Sequence, residues 1–235
     1  MSLNQCKSLL PMLIVPPEHF GTDGPASPVI LDVGSPQSFA DHDAVRNILL
    51  RRKTLGVATY LRVRLGDDAP FQDWLTRMAG LRPAGFVLAG CGGGADIQKL
   101  DVMLRVGEVE SGTIEGSLGI LAETGETPSF FLAPSSLRNL SRRLEGIILD
   151  ARALAQTTAS DMHNDAAGRP GAPLLFARAT VILRAADAGV ACYEILGEDL
   201  ATVDALQTAQ AASRADGFSN FIVRDAAQLS MLAAG

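Results

Sequence analysis

The chain has 235 residues, of which 47% are hydrophobic, so it can bury a sizeable core within one large domain. Its 26 acidic and 20 basic residues give a net charge of −6, and no run of Lys or Arg with interleaved aromatic residues occurs, which excludes nucleic acid as an expected partner. Because Cys6, Cys91 and Cys192 form no Cys-x-x-Cys pair and no apolar stretch reaches the ~18 residues of a membrane span, we predict a cytoplasmic protein with no membrane partner.

Short apolar segments recur along the chain and predict eight β-strands. They lie at 12–15, 29–33, 57–63, 86–89, 118–122, 147–149, 191–196 and 218–223. Most of the segments between them have helical spacing, as in Phe71, Leu75 and Met78. Alternating strands and helices favour a parallel sheet, and eight such units favour an α/β fold of the (β/α)8 TIM-barrel type, formed by residues 1–235 as a single domain. The alternative is an open doubly wound sheet.

Two connecting segments depart from this regular alternation. Residues 18–28 contain two Gly and two Pro, so we expect the first outer helix to be short or missing. Residues 157–173 are polar and include Asp161, His163, Gly168 and Pro170, which predicts a long mobile loop after the sixth strand. Such a loop is placed to serve as a lid over the site.

The third strand carries a charged residue on its inner side. Its alternation puts Tyr60, Arg62 and Arg64 on one side and Leu61 and Val63 on the other. The apolar side must face the outer helices, so Arg62 is expected to point into the barrel. A buried guanidinium needs an anionic partner, which is either a substrate carboxylate or a protein acid.

Carboxylates end three of the predicted strands. Glu123 follows the fifth strand and would lie at the rim where barrel enzymes place their chemistry. Its structural alternative is to cap the helix near Pro128 or to pair with Arg62. Asp32 and Asp150 end the second and sixth strands in similar positions. Three carboxylates at one rim predict a hard-cation site, because Mg²⁺ accepts one or two carboxylates together with water and substrate oxygens.

A glycine-rich segment at 89–95 follows the fourth strand and precedes a helix. The backbone N–H groups of Gly92, Gly93 and Gly94 could bind a carboxylate or phosphate at the helix N-terminus. A tight turn is the simpler interpretation, since neither the acid of a dinucleotide site nor a Gly-Lys-Ser/Thr sequence follows. The scattered histidines and the lack of a Gly-x-Ser-x-Gly elbow argue against a triad hydrolase.

Taken in order, several segments resemble the citrate lyase beta subunit family, also called the HpcH/HpaI aldolases. The opening strand, the Asp32 strand and the Arg62 strand are similar to the first three of the family, and the Glu123-Thr124 pair resembles its metal-binding segment. The best local match is the Phe-Ala-Arg helix that contains Arg178. The matching segments are 10–16, 29–32, 61–63, 121–124 and 174–189.

The resemblance implies a metal-dependent TIM barrel that cleaves a carbon–carbon bond next to a carbonyl and gives a 2-keto acid such as oxaloacetate or pyruvate. Its partner would be a small 2-keto acid or acyl-thioester substrate. Arg62 would be the catalytic residue that binds the substrate carboxylate, Glu123 and Asp150 would hold Mg²⁺ or Mn²⁺, and Asp32 would orient the groups around the metal. The family also implies a homo-oligomer.

The chain departs from the family at the residues that a lyase needs most. Gly34-Ser35 stands where the family has an acidic pair, Ala153 takes the place of its second metal acid, and Ala89-Gly90 replaces Pro-Lys. One hypothesis is a lyase with a rebuilt site, in which Asp150 reaches the cation and the amides of Gly92–Gly94 replace the lysine. The other is a catalytically degenerate barrel that acts as a non-enzymatic binding or regulatory subunit. We favour the lyase because Arg62 and Glu123 are both present.

Overall fold

The computed structural model describes residues 10–20, 25–34, 42–66, 69–160 and 170–233. Eight parallel strands close into a barrel in the order β1 to β8, and helices lie outside them, so the TIM-barrel prediction is confirmed. The strands are β1 Met12–Val15, β2 Val29–Asp32, β3 Thr59–Val63, β4 Gly85–Leu88, β5 Gly119–Thr124, β6 Leu144–Leu149, β7 Ala191–Ile195 and β8 Asn220–Val223. All eight predicted strands are therefore present, with bounds shifted by a few residues.

The outer layer is irregular at two of its crossovers. In the described part of the β1–β2 link the only regular element is a single 3₁₀ turn, Pro17–His19, as the prediction of a short or missing first helix requires. The helix between β5 and β6, α4, has only four residues. The α-helices are α1 His42–Thr54, α2 Ala69–Gly80, α3 Gly94–Glu110, α4 Ser129–Leu132, α5 Ala151–Thr158, α6 Ala172–Ala188, α7 Val203–Asp216 and α8 Ala226–Ala233. None of the helices described is long and apolar enough to cross a membrane.

Strand alternation divides the apolar core into two clusters. One fills the barrel and consists of side chains of a single parity, and the other packs between the strands and the helices. Helix α2 shows how the outer cluster forms, because its apolar residues recur at helical spacing and are buried against the sheet. The interior cluster comprises Met12, Ile14, Ile30, Val87, Leu121, Ile148, Tyr193, Ile195 and Ile222. This cluster does not extend to the C-terminal mouth of the barrel, where the side chains are charged.

At the N-terminal end of the barrel, the side chains of Tyr60 and Glu145 form a hydrogen bond next to Gly119. The pairing of β5 with β6 shifts between Ile120 and Leu121, which makes Glu145 an extra residue of the bulge type. A Cβ on Gly119 would lie 2.3 Å from the Glu145 carboxyl carbon, so only glycine leaves room for this side chain. The Tyr60 hydroxyl donates to Glu145 Oε2 at 2.9 Å. This end of the barrel therefore holds a polar hydrogen bond opposite the candidate site.

The segment 157–173 is more helical than the sequence suggested. Thr157 and Thr158 end α5, and Ala172 and Pro173 open α6, because Pro is well tolerated in the first turn of a helix. Residues 161–169, which carried the prediction of a lid, lie outside the described residues.

Candidate active site at the C-terminal mouth

Arg62 and Glu123 form the most buried ion pair at the mouth. Arg62 is on β3 and Glu123 on β5, and the parity of both strands turns these side chains inward, as predicted. Arg62 Nε donates to Glu123 Oε2 and Nη2 donates to Oε1, both at 2.6 Å. The side chains are only 10% and 2% exposed. The partner of the buried guanidinium is thus a protein acid, held in the two-bond geometry that is strongest for this type of pair.

Asp32, at the end of β2, completes the surroundings of Arg62. Arg62 Nη1 donates to Asp32 Oδ2 at 3.0 Å, and the Gly34 backbone N–H donates to Asp32 Oδ1 at 3.3 Å. Burial lowers the pKa of Arg62, but the hydrogen bonds and charges of Glu123 and Asp32 outweigh it and hold this pKa above its ordinary value. Arg62 is therefore a permanent positive charge at the mouth.

A second pair lies further out. Arg64 donates from both terminal nitrogens to the carboxylate of Glu126 at 2.5 Å, and its side chain is 48% exposed. The hydrogen bond from Arg64 is the main cause of a lowered pKa for Glu126, which burial only partly offsets. Glu126 Oε1 also lies 4.0 Å from Arg62 Nη2. The two arginine pairs are therefore neighbours.

Asp150 has two fixed partners. It is the N-cap of α5, and its Oδ1 accepts from the Ala153 backbone N–H at 3.0 Å, as Asp commonly does at the start of a helix. Its Oδ2 accepts from Arg224 Nη2, at the end of β8, at 2.7 Å. Ala153, which stands where the family has its second metal acid, therefore contributes its main chain to the position of Asp150.

The glycine-rich segment is engaged with its own helix. The Gly92 backbone N–H donates to Asp96 Oδ2 at 2.8 Å, and the Ser129 hydroxyl donates to the Gly92 carbonyl at 3.0 Å. Helix α3 begins at Gly94. The Asp96 carboxylate thus lies where Gly92 to Gly94 were predicted to bind a substrate anion, which favours the interpretation of this segment as a tight turn.

Arg178, in the segment that best matches the family, has a structural role outside the barrel. Its guanidinium pairs with Glu194 of β7, donates to Asp216 of α7 at 2.8 Å, and lies 4.8 Å from the ring centre of Phe218. Glu194 is buried, and it also accepts from the Ser213 hydroxyl. The Phe-Ala-Arg motif therefore fastens α6 to the neighbouring β7 and α7.

The donor set at the mouth does not fit a divalent cation as it is arranged. Within the described ranges, no group of three or more His, Cys, Asp or Glu side chains could hold a metal ion. Both oxygens of Glu123 and both oxygens of Asp150 already accept hydrogen bonds. The mouth holds four carboxylates and three guanidinium groups, so its net charge is −1. The acids are Asp32, Glu123, Glu126 and Asp150, and the bases are Arg62, Arg64 and Arg224. The prediction that Glu123 and Asp150 hold Mg²⁺ thus has no support in this geometry.

Two residues of this cluster were missed by reasoning from sequence. Glu126 lies two residues beyond β5, and Arg224 directly follows β8. The sequence could have identified both residues, because a charged residue within three positions of the C-terminal end of a barrel strand lies at the catalytic face. Their partners, however, come from other strands and could not be named without the register of the barrel.

Comparisons with known proteins agree with the fold. No family model matches the sequence, and no curated protein matches it. The citrate lyase beta subunit of M. tuberculosis, complexed with oxaloacetate and magnesium, is 21% identical at a TM-score of 0.70, over 100% of this chain and 98% of that chain. CitE of Mycobacterium tuberculosis, in complex with magnesium, acetoacetate and coenzyme A, is 19% identical at a TM-score of 0.69, over 97% of this chain and 81% of that chain. RipC from Yersinia pestis is 18% identical at a TM-score of 0.68, over 96% and 94%. The resemblance to the citrate lyase beta subunit is thus confirmed as a likeness of fold.

Proposed function

We propose that the chain is a carbon–carbon lyase of the citrate lyase beta subunit type. It cleaves the bond next to a carbonyl and releases a small 2-keto acid such as oxaloacetate or pyruvate. The observation that carries the proposal is Arg62, a permanent cation held by Glu123 and Asp32 at the C-terminal mouth. The active sites of TIM-barrel enzymes lie at this face.

Arg62 retains donors for a substrate. A guanidinium has five N–H groups, and three of them bond to Glu123 and Asp32 among the residues described. One N–H on each terminal nitrogen then remains for a carboxylate, in the fork geometry that such groups bind. Glu123 and Asp32 already orient the side chain, so little of its conformational entropy is lost on binding.

The same charge suits the chemistry of cleavage. When the carbon–carbon bond breaks, the neighbouring hydroxyl loses its proton to water and becomes a carbonyl. The electron pair of the bond passes to the carbonyl oxygen of the other fragment and gives an enolate, which then takes up a proton at carbon. A preorganised cation in a site of low exposure stabilises such developing negative charge. In this proposal Arg62 has this role, and the more exposed Arg64, whose charge is balanced by Glu126, lies further out at the mouth.

The ligands of similar structures support the substrate class. One contains oxaloacetate, and another contains acetoacetate and coenzyme A, so a keto acid or an acyl thioester is the ligand that we propose. Both also contain magnesium. The resemblance predicts Mg²⁺ or Mn²⁺ for this chain as well, but the oxygens of Glu123 and Asp150 already accept hydrogen bonds, so the roles given above use only the protein's own charges.

A binding or regulatory barrel is the second candidate. The observation in its favour is that Glu123 and Asp150 each have a guanidinium partner, while Ala153 stands at the position of the missing acid. Such a mouth would bind a carboxylate ligand without converting it. The two candidates predict the same binding and differ in whether an enolate forms.

Hydrogen–deuterium exchange separates the candidates. We would follow by proton NMR the exchange at the carbon next to the carbonyl of pyruvate and oxaloacetate in D₂O, with wild type, Arg62→Gln and Arg105→Gln. A lyase should accelerate exchange, and Arg62→Gln should lower the rate by about 10²-fold, the effect of losing one preorganised donor. Arg105→Gln also removes one arginine pair, with Glu115 on the exposed surface, and should match wild type. Ligand binding without exchange would support the second candidate.

Three further expectations stay proposals: a single domain formed by residues 1–235, a cytoplasmic location and a homo-oligomer. The oligomer has some support, because Val102, Val106 and Val109 are exposed apolar residues on one face of α3. Light scattering coupled to size-exclusion chromatography would measure the number of chains per particle.

A further inference from the structure

Asp150 is held from two sides before any ligand arrives. Its Oδ1 is bound by the N-terminal turn of α5, through Ala153, and its Oδ2 by Arg224. The side chain of Asp150 is only 7% exposed and that of Arg224 is 25% exposed. A carboxylate that caps its own helix cannot turn away without leaving an N–H group unpaired. The direction of Asp150 is therefore set by the protein itself.

Arg224 reaches Asp150 across the intervening strand. It follows β8 with the same parity as the interior residue Ile222, so its side chain points into the mouth, and β7 lies between β8 and β6. Its Nε also lies 3.9 Å from Glu198, which is held at 2.8 Å by Arg152. Within the described residues, Asp150 is the only hydrogen-bonded partner of the Arg224 guanidinium.

The two guanidinium groups beside Glu123 and Asp150 supply the same positive charge as one divalent cation. Glu123 and Asp150 carry two negative charges, and Arg62 and Arg224 bring two positive charges to the same oxygens. A Mg²⁺ ion on the two carboxylates would need oxygen lone pairs at about 2.1 Å and would face both guanidinium groups. Like charges at this separation repel strongly in a poorly hydrated site.

We propose that Arg224 is a built-in cation that takes the place of a divalent metal at Asp150, and with Arg62 at Glu123 makes the mouth metal-independent. The proposal concerns the site and holds whether the barrel catalyses or only binds. It also accounts for Ala153, since a mouth that holds no metal has no use for the second acid of the family pattern.

Neutralising Arg224 should create a cation site. Glu123 lies on β5 and Asp150 directly follows the neighbouring β6, and the Asp150 backbone N–H donates to the Thr124 carbonyl at 2.8 Å, so the two residues are close along the rim. Without Arg224, Oδ2 of Asp150 loses its hydrogen-bond donor, and its lone pairs are free to bind a cation at the mouth. Mn²⁺ is the suitable probe, because its free form gives a strong electron paramagnetic resonance signal that disappears on binding.

The experiment titrates Mn²⁺ into chelator-treated wild type, Arg224→Gln, Arg152→Gln, Asp150→Asn and Arg224→Gln/Asp150→Asn. We expect weak binding by wild type and binding by Arg224→Gln that is at least about tenfold tighter, since a juxtaposed like charge is removed. Arg152→Gln removes a neighbouring guanidinium that is 58% exposed and pairs with Glu198, so it should behave as wild type. The double variant should lose the gain.

Two results would overturn the proposal. One is wild-type binding of Mn²⁺ that equals that of Arg224→Gln and that Asp150→Asn abolishes. The other is a folded Arg224→Gln protein, judged by circular dichroism, that binds no more tightly than wild type. If Arg224→Gln does not fold, tight Mn²⁺ binding by wild type that Asp150→Asn abolishes would still overturn the proposal. Deuterium exchange on keto acids tests the lyase separately, so failure of one idea is distinguishable from failure of the other.

Discussion

Replacing Glu123 with Gln should destabilise the barrel, because the buried Arg62 loses a negative charge and one of its three hydrogen bonds. The amide oxygen can still accept one hydrogen bond, but the amide nitrogen then faces an N–H group of Arg62. Removing one partner of a buried ion pair costs about 3–5 kcal/mol. Because Asp32 keeps its bond to Nη1, we expect the lower end, about 3 kcal/mol, of this range.

Urea unfolding followed by circular dichroism measures this cost. A loss of about 3 kcal/mol corresponds to a fall in Tm of about 6–12 °C for a chain of this size. Glu126→Gln is the matched control, because it removes the same chemical group from the exposed Arg64 pair and should cost less than about 1 kcal/mol. In addition, Arg62→Met/Glu123→Leu should be more stable than either single variant, since neither Arg62 nor Glu123 then remains as an unpaired buried charge, and Asp32, which also loses Arg62, is 27% exposed.

A free energy of unfolding for Glu123→Gln within about 0.5 kcal/mol of that of the Glu126→Gln control, the usual spread of surface substitutions, would contradict this expectation. That result would mean that the Arg62 guanidinium is already solvated at the mouth and that its low exposure gives no measure of its desolvation.

Three other predictions concern groups away from Arg62. Burial raises the pKa of Glu145 more than its tyrosine hydrogen bond lowers it, so the folded state holds this proton more tightly than the unfolded state. The stability that this proton contributes should therefore be lost as pH rises from about 4 towards neutrality, so the free energy of unfolding of wild type relative to Glu145→Gln, measured in urea at several pH values, should fall over this range. Gly125→Ala puts a Cβ 2.2 Å from a main-chain carbonyl oxygen at φ +141°, so its Tm should drop well below that of Gly116→Ala, where φ is +80° and no atom lies within 4 Å. Burial raises the pKa of Cys91 and Cys192 to about 12, so neither thiol should be alkylated at a pH of about 8 until urea is added, as peptide mapping would show.

The fold could be predicted because its signals are local. Each strand is a short apolar run with alternating parity, and α2 shows helical spacing at Phe71, Leu75 and Met78, so element type and order followed from the chain alone. The predicted ends of strands and helices were less accurate where polar residues extend a helix. Thr157 and Thr158 illustrate this, because their hydroxyls suggested a loop but the residues complete α5, where Thr158 Oγ1 bonds back to the Leu154 carbonyl.

Most residues of the candidate site could be predicted from the sequence, but the hydrogen bonds and ion pairs between them could not. Alternation correctly turned Arg62 and Glu123 inward, and strand ends correctly marked Asp32 and Asp150 as rim residues. Which acid meets which base depends on the barrel register and on the reach of long side chains. Arg224 and Asp150 are 74 positions apart and approach each other across β7, which no local pattern encodes.

The presence of these pairs at the mouth is itself an argument for a ligand. Buried arginine–carboxylate pairs contribute little net stability, because the cost of desolvating both groups offsets their attraction, and well-packed apolar residues of similar volume are often more stable. The interior of this barrel is apolar from Met12 to Ile222, and nothing in the packing of β3 or β5 requires a charge at Arg62 or Glu123. Stability alone therefore does not explain four carboxylates and three guanidinium groups at one end of an apolar barrel, whereas the proposed binding of a carboxylate by Arg62 would explain them.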